Sequence, residues 1–221
     1  TVSNFSGSGS AYSFNLVPSA NGTFSANVPS AQASDLAGNG NSASNSLSLM
    51  CDNAAPSVVL SSSSANPTKS TSLPFTVNFS EPVTGFTSTD ISATNGSVTG
   101  FAGSGASYSF AVVPASNGVV SAQIASGVSQ DTAGNVNSAS NTVSRTYDTV
   151  PPVISLLGAN PLEIAVGAVY TDPGATASDA VSGNLTSRIS VQGSVNTAQV
   201  ASFTVTYNVT DDAGNVALTK S

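Results

Sequence analysis

The chain has 221 residues, a formal net charge of −7 and only 7% charged residues. Its four cations, Lys69, Arg145, Arg188 and Lys220, are too few and too scattered for the basic patch that nucleic acid or an anionic membrane needs. Histidine and tryptophan are absent, which removes the usual base of a hydrolytic triad and the indole platform of a sugar site.

Apolar residues make up 39% of the chain and alternate along it, so a folded protein with a neutral, hydroxyl- and amide-rich surface is expected. No apolar run reaches the length of about 18 residues that a membrane helix takes. An export signal or anchor is expected outside these residues. Cys51 is the single cysteine and rules out an intrachain disulfide. Its repeat partner is Tyr147, which points to a packing role.

In chain order, the first segment is one that returns later. Residues 1–58 align without gaps onto 97–154, with "GSGSAYSFNLVPSANG" against "GSGASYSFAVVPASNG" and "SDLAGNGNSASNSLS" against "QDTAGNVNSASNTVS". Tyr12 pairs with Tyr108 and Asp35 with Asp131, a period of 96 residues, and roughly half the aligned positions are identical. A period near 100 residues is that of a whole β-sandwich domain, not of a solenoid turn. The boundaries fall at two Asp/Pro linkers, "DNAAP" from Asp52 and "DTVPP" from Asp148, which proline makes semi-rigid. Residues 1–52 are then the C-terminal half of a repeat. Its other strands are expected upstream or from another copy of the chain. Residues 53–148 are a complete repeat, and 149–221 are a nearly complete domain of a second type.

Within the second repeat, Phe75, Val77 and Phe79 alternate with Thr76, Asn78 and Ser80, and Tyr108, Phe110 and Val112 alternate likewise. The second strand is assigned to 73–80 and the last to about 137–147. In the third domain Phe203, Val205, Tyr207 and Val209 alternate with polar residues. Period-two alternation gives one buried and one wet face, as in an antiparallel sheet. Asn-Gly pairs at 21, 95 and 117 mark turns. The predicted fold is all-β, a tandem of antiparallel sandwiches, and the pattern Asp-x-Ala-Gly-Asn recurs near the end of each, at Asp35, Asp131 and Asp211.

With "FSEPVTGFTSTDIS" and a late "DTAGN", residues 53–148 resemble the bacterial immunoglobulin-like repeats of large surface adhesins. With "YTDPGATASDAVSGNLTSRI" and "FTVTYNVTDDAGN", residues 149–221 resemble the immunoglobulin-like module of bacterial surface proteins, carbohydrate-active enzymes and pesticidal crystal proteins. The resemblance implies immunoglobulin-like sandwiches that serve as spacers in many settings.

Catalytic chemistry finds no foothold. Lys69 lies in a Ser/Thr/Pro loop and Lys220 is penultimate, so neither is placed for the burial that activates a lysine. The "GSGS" stretch lies between strands, outside the strand-to-helix context of a phosphate loop. The placement of the acids is more informative. In a seven-strand sandwich the entering linker, the loop after the second strand and the turn before the last strand meet at one end. That rule gathers Asp52, Glu81 and Asp131, with Asp90, at the tip of the second repeat. It gathers Asp148, Asp179 and Asp211 or Asp212 at the tip of the third domain. Two readings remain open. Asp131 caps a tight turn by accepting backbone N–H groups, with Gly134 at positive φ. Alternatively, the carboxylates hold calcium, which takes six to eight oxygen ligands.

The expected function is that of a non-enzymatic spacer in an extracellular or cell-surface bacterial adhesin, stalk or filament, giving reach and serving adhesion or assembly. Its expected partners are neighbouring repeats, with no nucleic acid and no membrane insertion. The alternative is a non-catalytic accessory module of a secreted carbohydrate-active enzyme.

Overall fold

The computed structural model describes residues 1–221, and its regular structure is strand apart from two single turns of 3-10 helix. Residues 1–51 form two hairpins, β1 (Val2–Ser8) with β2 (Ala11–Leu16) and β3 (Gly22–Ala26) with β4 (Leu47–Cys51). Seven strands follow: β5 (Val58–Ser62), β6 (Leu73–Phe79), β7 (Ile91–Thr94), β8 (Gly96–Ser104), β9 (Ser107–Pro114), β10 (Gly118–Ile124) and β11 (Val143–Tyr147). They make a four-stranded sheet, β5-β6-β9-β8, and a three-stranded sheet, β11-β10-β7.

The alternation seen in sequence sets which face is buried. Leu73, Phe75, Val77 and Phe79 of β6 are buried while Pro74, Thr76 and Asn78 between them are exposed. They meet Phe110 and Val112 of β9 and, across the sandwich, Val120, Ala122 and Ile124 of β10 in one core of 14 buried residues. Phe75 stacks on Phe110 with ring centroids 5.1 Å apart. Each such large apolar side chain contributes about 1.5–3 kcal/mol by leaving water.

The repeat extends to register. Val2 faces Leu16 as Val98 faces Val112, and Gly22 faces Cys51 as Gly118 faces Tyr147. Both copies break register at the same place, Ser3/Ser6 in β1 and Thr99/Ala102 in β8. Phe5 stacks on Tyr12 at 5.6 Å, as Phe101 does on Tyr108 at 5.7 Å. Gly103 and its counterpart Gly7 are required by close approach. At φ +124° a Cβ on Gly103 would stand 2.4 Å from the Ser107 carbonyl oxygen, and at φ +141° one on Gly7 would stand 2.3 Å from that of Ala11.

Burial separates the two copies. No residue of 1–51 is buried, and Phe14 is 40% exposed where its counterpart Phe110 is 3% exposed. The strands that cover this face in the second repeat, β5, β6 and β7, have no counterparts within residues 1–51. An open cleft of about 750 Å³ lined by Phe14, Leu16, Phe24, Val28, Leu47 and Leu49 takes their place.

The third domain comprises β12 (Val153–Leu156), β13 (Ala175–Asp179), β14 (Gly183–Asn184), β15 (Ser190–Gln192) and β16 (Thr206–Asn208). Its core is smaller: Ile154, Ala177, Leu185, Tyr207, Val209 and Ala217. The long strand expected through Phe203–Val209 is paired only over Thr206–Asn208, by β15 on one side and by a bridge from Tyr207 to Lys220 on the other. Alternation prepares a strand for one buried face, but pairing needs a neighbour, and residues 201–205 have none. Beside them lies an open cleft of about 640 Å³ that includes Leu162, Tyr170, Phe203 and Tyr207. The Tyr207 hydroxyl donates to Asp172. Burial first, then the Asp172 hydrogen bond and charge, push the Tyr207 phenol up to about 12.

Two outcomes follow from this distribution of burial. In hydrogen exchange on the whole chain, amides of residues 73–147 should be protected by orders of magnitude more than those before residue 51. Equal protection would show that the hairpins of 1–51 are covered. The raised Tyr207 value means that the folded chain holds this proton more tightly than the unfolded one. Its contribution to stability is complete below pH about 10 and is lost as pH rises toward about 12. Alkaline unfolding should lose that dependence, and the last step of the tyrosinate absorbance titration, in Tyr207→Phe.

Candidate functional site

The candidate functional features lie at the two linkers, which share three hydrogen bonds. Linker one follows β4 at Asp52, and linker two follows β11 at Asp148. Each aspartate folds its linker back on itself: Asp52 Oδ1 accepts the Ala54 N–H at 3.0 Å, and Asp148 Oδ1 accepts the Val150 N–H at 3.0 Å. The preceding domain holds the next residue. Asn21 Oδ1 accepts the Asn53 N–H at 3.0 Å, and Asn117 Oδ1 accepts the Thr149 N–H at 3.0 Å. The following domain holds the aspartate carbonyl. Asn135 Nδ2 donates to the Asp52 oxygen at 3.0 Å, and Asn215 Nδ2 to the Asp148 oxygen at 3.0 Å.

Asn135 and Asn215 end the recurring Asp-x-Ala-Gly-Asn turn, and the turn is what aims them. Asp131 Oδ1 accepts the N–H groups of Ala133 at 2.8 Å and Asn135 at 2.9 Å, while Oδ2 accepts Asn135 Nδ2 at 2.8 Å. Gly134 adopts φ +92°, the left-handed region that this tight return requires. Asp211 accepts the Asn215 N–H at 2.7 Å and its Nδ2 at 2.9 Å, with Gly214 at φ +87°. Asp35 makes the same turn with Ala37 and Asn39. The side-chain amide of Asn135, helped by backbone N–H groups, holds the Asp131 carboxyl below its ordinary value against the opposing effect of burial. The turn-capping reading of these aspartates therefore describes their hydrogen bonds.

The same tips also gather acids. One carboxylate oxygen each from Asp52, Glu81 and Asp131 lies within 4.8 Å of the others, and so does one each from Asp148, Asp179 and Asp211. Asp90 does not join them. It is held by a short 3-10 turn, where its Oδ2 accepts the Thr87 N–H at 2.7 Å and the Thr87 hydroxyl at 2.9 Å. Asp212 also points elsewhere, pairing with Arg188 at 2.6 Å in the chain's one ion pair, which is exposed on both sides. Burial, followed by the charges of Asp52 and Asp131, raises the Glu81 carboxyl. In the second cluster Asp148 is 1% exposed and Asp211 3%. The Oδ2 atoms of Asp148 and Asp179 are both buried without a hydrogen-bond partner.

Sequence reasoning located the acids and missed the amides. Asn21, Asn117, Asn135 and Asn215 hold the linkers, and Asn137 holds the strand ends beside them. Asn137 is 2% exposed, accepts the Val128 and Ser129 N–H groups at 2.9 and 2.8 Å, and donates to the Ala125 and Ser138 carbonyls at 2.9 and 2.7 Å. The signal was present, since Asn41 repeats it with the same partners one period earlier. In so asparagine-rich a chain, however, identity alone does not separate a buried amide from a surface one.

Comparison with known families assigns two stretches. Residues 52–147 match the model described as a bacterial Ig-like domain, and residues 154–220 match that of a bacterial surface protein, Ig-like domain. No curated protein and no solved structure matches the chain.

Replacing Asn137 leaves the N–H groups of buried Ser129 and half-buried Val128, and the carbonyls of Ala125 and Ser138, without this partner, at about 1–3 kcal/mol for a buried group left unsatisfied. Asn137→Ala should therefore destabilise the second repeat by roughly 2–4 kcal/mol in urea unfolding. Asn41→Ala, on the exposed copy, should change it by less than about 0.5 kcal/mol.

Proposed function

We propose that the chain is a spacer whose work is to hold successive domains in a fixed relation, since residues 52–147 match a bacterial Ig-like domain and residues 154–220 the Ig-like domain of a bacterial surface protein. Such domains are non-catalytic and extracellular, and no helix of the chain is long and apolar enough to cross a membrane. Within the cell-surface role, the finer reading is a stalk or filament segment of an adhesin, giving reach to a binding tip.

The observation that carries this reading is the identity of the two junctions. A linker that merely connects need not be held. These two are held from both sides, by an asparagine of the domain before and an asparagine of the domain after, with the same atoms at the same 3.0 Å. The domain after the second linker is of a different type from the domain after the first, yet it presents the same turn and the same amide. A flexible string spans only the square root of its contour, so fixed junctions are what turn stacked domains into reach. Lys69 adds a contact across the second junction by donating to the Gly214 carbonyl. Proline restrains both linkers, at Pro56 and at Pro151–Pro152.

The partners that suit the chain are repeats of its own kind. The apolar face of residues 1–51 has the pattern that β5 to β7 cover in the second repeat, so strands of a like repeat, from the same protein or another copy, fit it best.

Asn215→Ala and Asn117→Ala together remove the side-chain holds on the second linker from both sides. Small-angle scattering on the whole chain should then show a shorter maximum dimension and a broader distance distribution, with the melting of the second repeat lowered by no more than a few degrees. If the scattering curve is unchanged, the junction amides do not set the spacing.

A further inference from the structure

We propose that Asn39 and Gly40 form a self-modification site, at which the Gly40 main-chain nitrogen converts the Asn39 side-chain amide to an acid with loss of ammonia. The proposal goes beyond the spacer reading and does not rest on it.

An asparagine followed by glycine is the pair in which this chemistry is least hindered, because the residue that carries the attacking nitrogen has no side chain. The chain has four such pairs, beginning at Asn21, Asn39, Asn95 and Asn117. Three of them are restrained by structure. Gly22, Gly96 and Gly118 open β3, β8 and β10 and take their places in ladders opposite Cys51, Pro114 and Tyr147. The asparagine before each is tied by two side-chain bonds. Asn21 accepts from Asn53 and donates to Asp52, Asn95 accepts from and donates to Ser116, and Asn117 accepts both the N–H and the hydroxyl of Thr149.

Gly40 lies outside the strands, and residues 31–40 are all exposed. Two main-chain bonds flank it, from the Asp35 N–H to the Asn39 carbonyl at 3.0 Å and from the Asn41 N–H to the Ala33 carbonyl at 2.9 Å. The Gly40 N–H between them donates to no group of the chain. The Asn39 side chain is held by a single bond, from Nδ2 to Asp35 Oδ2 at 3.0 Å. With nothing buried around it, this turn opens at little cost, and water reaches both reacting groups.

The other two turns of the pattern lack the site. Asn135 and Asn215 are followed by Val136 and Val216, whose β-branched side chains crowd the nitrogen. The glycine at 40 goes with Ala31. A Cβ on Gly40 would stand 3.2 Å from the Ala31 Cα and 3.3 Å from its Cβ, whereas one period later the corresponding pair is Gly127 and Val136. In the first copy the small residue is on the other side of the turn, and the nitrogen is uncovered as a result.

The reaction balances with water alone. The Gly40 nitrogen gives its proton to solvent and attacks Asn39 Cγ. A five-membered imide forms, the bond from Cγ to Nδ2 breaks, and Nδ2 leaves as ammonia. Water then opens the imide at one carbonyl or the other, leaving either aspartate or an isoaspartate whose main chain runs through Cγ. The amide lost is the one that holds a linker carbonyl at Asn135 and Asn215. A carboxylate only accepts, so a converted turn has no donor to offer and sets a second negative charge against Asp35. Conversion thus removes the holding group of this pattern by a reaction that takes only water and time.

The test incubates the whole folded chain and follows the four asparagine–glycine pairs by peptide mass spectrometry with an isoaspartate assay. Asn39 should acquire the mass of the acid before Asn21, Asn95 or Asn117 does. Its rate should rise between about pH 6 and pH 8.5, because the nitrogen must lose its proton to attack. The double variant Ala31→Gly with Gly40→Val copies the pair found at 127 and 136, and should slow conversion at Asn39 roughly tenfold or more. In the converted chain the Asp35 carboxyl, which the Asn39 side-chain amide holds below its ordinary value, should titrate higher by NMR. The proposal fails if Asn39 converts no sooner than the other three pairs, or if the double variant converts at the parent's rate. Mass is read apart from scattering, so neither result depends on whether the chain is a spacer.

Discussion

The arrangement of the domains depends on one residue per junction, an aspartate that is the last residue of one domain and the first contact of the next. Asp148 donates its N–H to the second repeat, accepts the Val150 N–H on its side chain, and accepts from Asn215 of the third domain on its carbonyl. Three directions are fixed by three bonds on one residue. A linker held this way has little freedom left to lose, so the entropic cost of ordering it is met locally, within each junction.

The periodic parts of this architecture were legible in the sequence. Alternation placed Phe75, Val77 and Phe79 on the buried face of a strand, and the 96-residue repeat carried over to registers, to a bulge and to an aromatic pair. The acids could be grouped because topology alone brings the linker and two loops to one tip. Asp90 escaped that rule because a short 3-10 turn turned its carboxylate back onto Thr87. The strand at Phe203–Val209 was legible as a pattern but not as a pairing, since pairing depends on a neighbour that alternation does not reveal. The amide holds were the hardest to see. Asn135 differs from a surface asparagine only in what the glycine beside it lets it reach.

The two copies of the repeat also separate what local sequence fixes from what packing fixes. Residues 1–51 keep the hairpins, the bulge and the Phe5–Tyr12 stack without any buried residue. The geometry of the β1–β2 hairpin is therefore written locally, in its turn and in the close approach at Gly7, as at Gly103 in the second repeat. The core is written non-locally, in β5, β6 and β7. Within residues 1–51 the shape of the repeat is present without its core, since Phe14 is 40% exposed where Phe110 is buried.

The sparse charge and the amide holds fit together. A chain outside the cell meets ionic strengths it does not control, and exposed ion pairs weaken as salt rises. The single ion pair here, Arg188 with Asp212, is of that exposed kind and lies away from the cluster. The bonds that set the junctions are hydrogen bonds instead, from asparagine amides to backbone carbonyls and from backbone N–H groups to asparagine and aspartate oxygens. Where carboxylates are concentrated, Asp148 and Asp211 are buried, and mobile salt screens buried groups little. Geometry that should hold constant is assigned to directed hydrogen bonds rather than to exposed ion pairs.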